Sequence, residues 1–312
     1  MRKILALILV LAMAFTVLAA CGDDTPEQLT FALLPPAMIS PYYAQILGAA
    51  QERADELGIE LIILAPQSES DYLAQMQIVD DVITQGVDGI ILCAINTDAI
   101  VASVRNANEA GIPVVMFNIP AELEGGVDVA CYVVYNQYEA AAIVASYIAV
   151  MMDGEAVIGV IEGLPGLHTD ERLGGFSNRV ANYPGMSIVA TQPGNWEREA
   201  GMNAATNMLQ ANPDINVFFG LSDEMTLGAY QAVVAAGATD SVSVFGFDGT
   251  PPAIDSVIQG GIMSTISIGP IQTGIESVQV LYDLINGRSI PQFIEVETEL
   301  ITPENAQSFV MP

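Results

Sequence analysis

The chain has 312 residues, enough for about two domains. Apolar residues make up 52% of it and the mean hydropathy is +0.45, too apolar for a disordered chain. Eight Lys plus Arg face 37 Asp plus Glu for a formal charge of −29, which argues against nucleic-acid binding, since phosphate neutralisation needs clustered cations. One lysine, Lys3, and one histidine, His168, leave the body of the chain without a phosphate-loop or Schiff-base lysine and exclude sites built on two or three histidines. Three cysteines cannot build a disulfide-rich scaffold.

The first segment reads as an address. Met1-Arg2-Lys3 is basic, 4–20 is apolar and uncharged, and Leu18-Ala19-Ala20 leads into Cys21. A cysteine directly after Leu-Ala-Ala resembles the bacterial lipobox. That resemblance implies a signal peptide over 1–20, lipid on Cys21 and a short tether over 21–27. Cleavage there removes Arg2 and Lys3 and leaves six arginines as the only cations. So acidic a chain discourages contact with anionic membrane, so the lipid would do the tethering.

After the tether, strand-length apolar runs alternate with helix-period segments. The predicted strands of the first half are Leu29–Leu34, Leu61–Ala65, Ile90–Ile95 and Val114–Phe117. Between them, Tyr42, Ile46, Ala49, Arg53 and Leu57 share one helix face that Gly58 ends. A second helix runs from Asp71 to Gln85 before Gly86, and Asp98 is expected to cap a third that closes at Gly111. The second half repeats the scheme with strands Val129–Val134, Ala156–Ile161, Ile188–Ala190, Val217–Leu221 and Val242–Phe247. Its helices are expected near 138–151, 169–182, 196–211 and 223–236, with another starting at Pro251-Pro252. Short apolar strands spaced by amphipathic helices imply α/β architecture: two doubly wound parallel-sheet domains covered on both faces.

Open parallel sheets bind ligands at the carboxyl ends of their strands. The candidates for chemistry are therefore Ser40–Tyr43, Cys93–Thr97, Asn118, Gly163–Arg172, Gly194–Trp196, Ser222–Asp223 and Asp248. No catalytic constellation stands out among them. Gly-x-Gly-x-x-Gly is missing after the first strand, and Gly175-Phe176-Ser177-Asn178-Arg179 lacks the closing glycine of a nucleophile elbow. His168, in a loop, is expected at the surface or at a pocket rim, and Cys93 and Cys131 as buried free thiols, with a mutual disulfide as the alternative. No metal or cofactor is called for. The same strand ends suit a polyhydroxylated ring. Aromatic faces cover its C–H surface, and charged or amide groups hold its hydroxyls. Trp196, Tyr42 and Tyr43 could supply the former; Arg172 and Asp248 could supply the latter.

Six phrases, in order and spacing, extend this reading: Ser40-Pro41-Tyr42-Tyr43, Gly111-Ile112-Pro113, Glu171-Arg172-Leu173-Gly174-Gly175-Phe176, Gln192-Pro193-Gly194-Asn195-Trp196, Ser222-Asp223-Glu224-Met225 and Gly246-Phe247-Asp248-Gly249-Thr250. From Leu29 to about Pro303 the chain resembles periplasmic sugar-binding proteins of the ribose/galactose type, receptors of ABC importers. The resemblance implies a type I periplasmic-binding fold whose domains are joined by a three-segment hinge. Crossovers fall near Val134, Ile268 and Glu297, giving an N-terminal lobe of 28–134 plus 269–297 and a C-terminal lobe of 135–268 plus 298–312. It implies lobe closure on the ligand, a ring sandwiched by Tyr42, Tyr43 and Trp196, and hydroxyls held by Arg172 and Asp248. Ser40, Cys93, Asn118, Ser222 and Ile268 occupy the family's other ligand-binding positions.

Several of these depart from the family pattern. Asn118-Ile119 stands where Asp-Arg is common, Ser40 and Ser222 where asparagine is frequent, Cys93 at an often polar position and Ile268 near a usual glutamine. An unpartnered buried hydroxyl costs about 1–3 kcal/mol, so the expected ligand is not ribose and has fewer hydroxyls or a different polar pattern. The expected partners are a sugar-like molecule and an ABC permease, with the membrane touched only through lipid, no nucleic acid, and a monomeric, extracytoplasmic, lipid-anchored chain. The resemblance also admits a sensor of a sugar-like signal or, less readily, a secreted hydrolase. The secretory start and the missing helix-turn-helix argue against a transcription regulator.

Overall fold

The computed structural model describes residues 28–38, 40–119 and 122–310; Cys21, the leader and the tether lie outside the described residues. The first half runs β1 (Thr30–Leu34), α1 (Pro41–Leu57), β2 (Glu60–Ile63), α2 (Tyr72–Gln85), β3 (Gly89–Leu92), α3 (Thr97–Glu109), β4 (Val114–Phe117) and β5 (Cys131–Val134). The chain continues with α4 (Gln137–Met151), β6 (Glu155–Glu162), α5 (Leu167–Val180), β7 (Gly185–Pro193), α6 (Arg198–Ala211), β8 (Val217–Gly220), α7 (Asp223–Ala235), β9 (Ser243–Phe245) and α8 (Pro251–Ile258). It closes with β10 (Thr265–Ser267), α9 (Pro270–Ile285), β11 (Phe293–Glu295), β12 (Glu299–Ile301) and a 3-10 turn at Ala306–Phe309.

Two parallel sheets result. The first has the order β11-β5-β4-β3-β1-β2 and the second β7-β6-β8-β9, while β10 and β12 form an antiparallel pair. Strands β3, β4 and β8 are buried along their whole length, as the near-continuous apolar runs require of a sheet covered on both faces. Strand order reverses around β1 and β3 in one sheet and around β6 and β8 in the other. Crevices open at such switch points, and the segments after these four strands carry Ser40, Asn96, His168 in the first turn of α5, and Ser222.

The expected alternation is present, with instructive shifts at the ends. The apolar run Ile90–Ile95 outlasts its strand because the Gln75 side chain takes over the ladder. Its Nε2 donates to the Cys93 carbonyl at 2.8 Å and its Oε1 accepts from the Ile95 N–H at 2.9 Å. Asn96, not Asp98, caps α3, accepting from the N–H groups of Asp98 and Ala99 at 3.1 and 2.8 Å. Asp98 lies in the first turn, where it favours the positive end of the helix dipole. Strand β7 is longer than its short apolar core Ile188–Ala190 foretells, because pairing with β6 continues through a bulge opposite Ile158 and Gly159. Helix α9 and strands β10 to β12 were not anticipated; the three strands are only three residues long each, too short to show a period. Cys93 and Cys131 are both buried free thiols.

The chain passes between the sheets more than once. Strand β5 ends at Val134 in the first sheet, whereas α4 packs on β6 and α5. After β10, α9 returns to pack on α1 and β11 pairs with β5. Strand β12 then goes back to β10, which bridges the end of β9 through Asp248 and Ser267.

Candidate functional site: a cleft between the strand ends

A cavity of about 370 Å³ opens between the two sets of strand-end loops and leads into a deeper pocket of about 40 Å³. Tyr43, Glu69, His168 and Trp196 line both compartments. Eight of the ten sequence-selected binding residues line the deeper pocket: Ser40, Tyr42, Tyr43, Asn118, Arg172, Trp196, Ser222 and Asp248.

The first sheet supplies an aromatic wall. Pro41 occupies the first turn of α1, where its missing N–H costs nothing, and launches the helix from Ser40. The next two residues turn their rings inward, edge to face at 5.1 Å. Tyr42 donates its hydroxyl to Asn118 Oδ1 at 3.3 Å, and Asn118 Nδ2 donates to the Tyr43 oxygen at 3.5 Å. Asn118 itself sits at φ 62°, a left-handed conformation that asparagine tolerates better than most residues.

The second sheet supplies the polar floor. Arg172, one and a half turns into α5, is buried and almost fully engaged. Its Nη1 donates to the Leu221 carbonyl at 2.6 Å and to Asp248 Oδ1 at 3.2 Å; its Nη2 reaches the Tyr135 hydroxyl at 2.6 Å; its Nε reaches Gln137 Oε1 at 3.1 Å. The guanidinium lies 4.3 Å from the Phe247 ring centre and 5.4 Å from that of Trp196. Burial opposes its charge, but the surrounding oxygens more than compensate and keep it protonated. Asp248, at φ 126°, accepts the Asp223 N–H on its other oxygen at 3.3 Å, at the start of α7. Burial pushes its carboxyl up and Arg172 draws it part of the way back.

Trp196 follows Asn195, and both have positive φ, 67° and 53°. This pair of left-handed residues turns the indole over the backbone of Gly163, where an added Cβ would fall inside the ring. Such strained backbone concentrates at functional loops: Asn118, Trp196 and Asp248, each just past a strand, are three of the five non-glycine residues with positive φ among the described residues.

Two sequence-selected residues do not reach the cleft. Cys93 is wholly buried beneath Tyr43, whose hydroxyl lies 3.9 Å from its sulfur, and burial pushes the thiol up to about 12. Ile268 is wholly buried and its side chain joins the core, as an apolar group ending a short strand must.

Others belong to the site without having been singled out for ligand contact. Gln137 donates to the Asn118 carbonyl at 3.3 Å, meets His168 Nδ1 at 2.8 Å and accepts from Arg172, so it ties the two sheets' loops together. His168 lies in the first turn of α5 and not in a loop as expected; it lines the cavity, and burial followed by the charge of Arg172 lowers it to about 3, so it is neutral. Glu69, in the loop after β2, is raised to about 7 by burial, reinforced by Asp248 and opposed by Arg172. Thr250 and Glu224 complete the deeper pocket. Applying the strand-end rule to β2 as it was applied to its neighbours would have found Glu69.

Two α/β units with a cleft of aromatic walls, a held guanidinium and buried acids between their strand ends define a protein that encloses a small polar solute. The chain belongs to the periplasmic binding protein family: residues 31–289 match the model of the periplasmic binding protein domain. It is 30% identical over 303 residues to the ribose import binding protein RbsB of Salmonella typhimurium, covering 96% of this chain and 98% of that one. It is 27% identical over 284 residues to the D-allose-binding periplasmic protein of Escherichia coli, covering 87% and 91%. A solved ABC-transporter solute-binding protein from Actinobacillus succinogenes with bound D-allose superposes with a TM-score of 0.86 at 29% identity, covering 90% of this chain and 100% of that one. One from Bacillus halodurans with bound myo-inositol gives 0.84 at 25% identity, covering 92% and 99%.

Proposed function

We propose that the protein captures a sugar or sugar-like molecule outside the cytoplasm by closing two lobes on it, and delivers it to an ABC importer. The observation that carries this reading is the convergence of Tyr42, Tyr43 and Asn118 from one sheet with Arg172, Trp196 and Asp248 from the other on one cleft. Tyr42, Tyr43 and Trp196 cover the ring; Arg172, Asp248, Asn118, Ser40 and Ser222 hold its hydroxyls. Because both lobes contribute, the ligand favours the closed arrangement through contacts made only there.

The lobes are assigned as 28–134 plus 269–297 and 135–268 plus 298–312. Sheet membership supports the division, since β11 rejoins the first sheet and β12 pairs with β10. The chain works as a monomer, bound to the envelope through lipid on Cys21, and binds rather than transforms its guest. The relatives' names support a carbohydrate. Ile119, at a position where the family often has arginine, argues that it is not ribose, and tight ribose binding in a calorimetric titration would overturn that point.

A thermal-shift screen over pentoses, hexoses, deoxysugars, polyols and nucleosides tests the reading, since a ligand of the folded state raises the melting temperature with its concentration. Asp248→Ala and Trp196→Ala are expected to abolish the shift. Full retention of the shift in both variants would refute the assigned pocket.

A further inference from the structure

The cleft has an unbalanced charge. The acids lining it are Glu69, Asp98, Glu224 and Asp248, and the only cation among its described lining residues is Arg172. Two of the acids have partners: Asp248 meets Arg172 at 3.2 Å and Glu224 meets Arg198 at 2.6 Å. Asp98 is exposed at the start of α3, where water and the helix dipole serve it.

Glu69 has no ion-pair partner among the described residues. It is half-buried, lines both compartments, and accepts no hydrogen bond from any of the described residues. The donors near it are committed elsewhere. Four N–H bonds of Arg172 go to Leu221, Asp248, Tyr135 and Gln137, and the Gln137 amide is taken by His168, Asn118 and Arg172. His168 is neutral and offers no charge. Burial and the nearby Asp248 both disfavour the ionised carboxyl of Glu69.

A guest seated between Tyr43 and Trp196 would strip more water from Glu69. A neutral hydroxyl can donate one hydrogen bond to it but leaves its charge uncompensated. An ammonium group donates hydrogen bonds and cancels charge together. Building on the sugar-capture reading, we infer that the ligand is a polyhydroxylated ring carrying a primary amine, an amino sugar or aminocyclitol, whose ammonium group sits against Glu69.

The test is calorimetric titration near neutral pH with matched series. Each series contains a neutral sugar, its amino analogue and the N-acetyl derivative of that analogue, with the amine at the 2- or 6-position; an aminocyclitol is compared with myo-inositol. The expected result is that in at least one series the amine binds roughly tenfold or more tightly than its neutral parent and than the N-acetyl form, which keeps the size but loses the charge. Glu69→Gln, nearly isosteric, is expected to erase that preference, and Glu69→Asp, which keeps the charge, to retain part of it. Neutral parents binding as tightly as the amines in every series, or a preference that survives Glu69→Gln, overturns the amine while leaving a sugar site. Failure of every compound in every series to bind the wild-type protein overturns the amine and the sugar reading together.

Discussion

Arg172 donates to the hydroxyl of Tyr135 at 2.6 Å, and Tyr135 lies one residue past the end of β5, where the chain leaves the first sheet for the second. The main cation of the cleft is therefore held by the connecting segment itself. Gln137, two residues further on, takes the Nε hydrogen of the same guanidinium. A change in the path of this segment moves Arg172, and a ligand that fixes Arg172 fixes the segment.

Tyr135→Phe removes only an oxygen, but leaves a buried guanidinium N–H without its partner. A group stranded in this way costs about 1–3 kcal/mol. The expected outcome is a lower melting temperature in the unliganded protein and weaker ligand binding by calorimetry. An unchanged binding constant would show that Arg172 does not depend on the phenol.

Trp196 is the chain's only tryptophan, so tryptophan emission, excited selectively over that of the tyrosines, reports the cleft alone. Gly163→Ala places a methyl group where the indole now lies. The expected result is a red-shifted emission spectrum as the ring is displaced towards water, together with at least a tenfold loss of affinity. A spectrum identical to wild type would mean that the ring finds another route past the new methyl group.

Glu69 sets a pH dependence whose sign can be worked out. Its folded-state value of about 7 lies above its ordinary 4.5. Between these values the folded chain binds more protons at this group than the unfolded chain does, so its contribution to stability is complete below about 4.5 and is lost as pH rises towards 7. Glu69→Gln has no such loss. Its melting temperature is expected to exceed that of wild type by a few degrees at pH 8 and to converge with it near pH 4.5, as followed by circular dichroism.

Asp223 is wholly buried at the start of α7 and accepts from the Thr250 N–H at 2.7 Å, the Thr250 hydroxyl at 2.9 Å and the Thr265 hydroxyl at 2.6 Å. It fastens the loop carrying Asp248 to β10. Asp223→Ala leaves three donors unpartnered, and losses of about 1–3 kcal/mol for each such group predict a large drop in melting temperature. Binding of the ligand is expected to weaken as well, because the loop that carries Asp248 loses its anchor.

The alternation of strands and helices was legible because most strands contain a short apolar run and several helices carry a capping or stop residue, such as Gly58 after α1 and Gly86 after α2. Eight of the candidate binding residues were legible because the strand-end rule locates them without knowledge of packing. Cys93, chosen for its place after a strand, and Ile268, chosen from the resemblance, lie outside the cleft: Gln75 pins the Cys93 backbone, and Ile268 turns inward because it is apolar. Gln137 was hidden for another reason. Nothing in a helix's first residue advertises a hydrogen bond to a strand end of the other sheet; that link to the Asn118 carbonyl exists only once the two sheets are assembled.

The edge strand β11 pairs Phe293 with Tyr132, so the first sheet is completed by one of the last segments of the chain to be synthesised. A nascent chain that has just left the ribosome up to β5 exposes an open ladder edge there, and such edges recruit other chains. Loss of the last twenty residues is thus expected to leave the first sheet unsealed and β10 without its antiparallel partner β12.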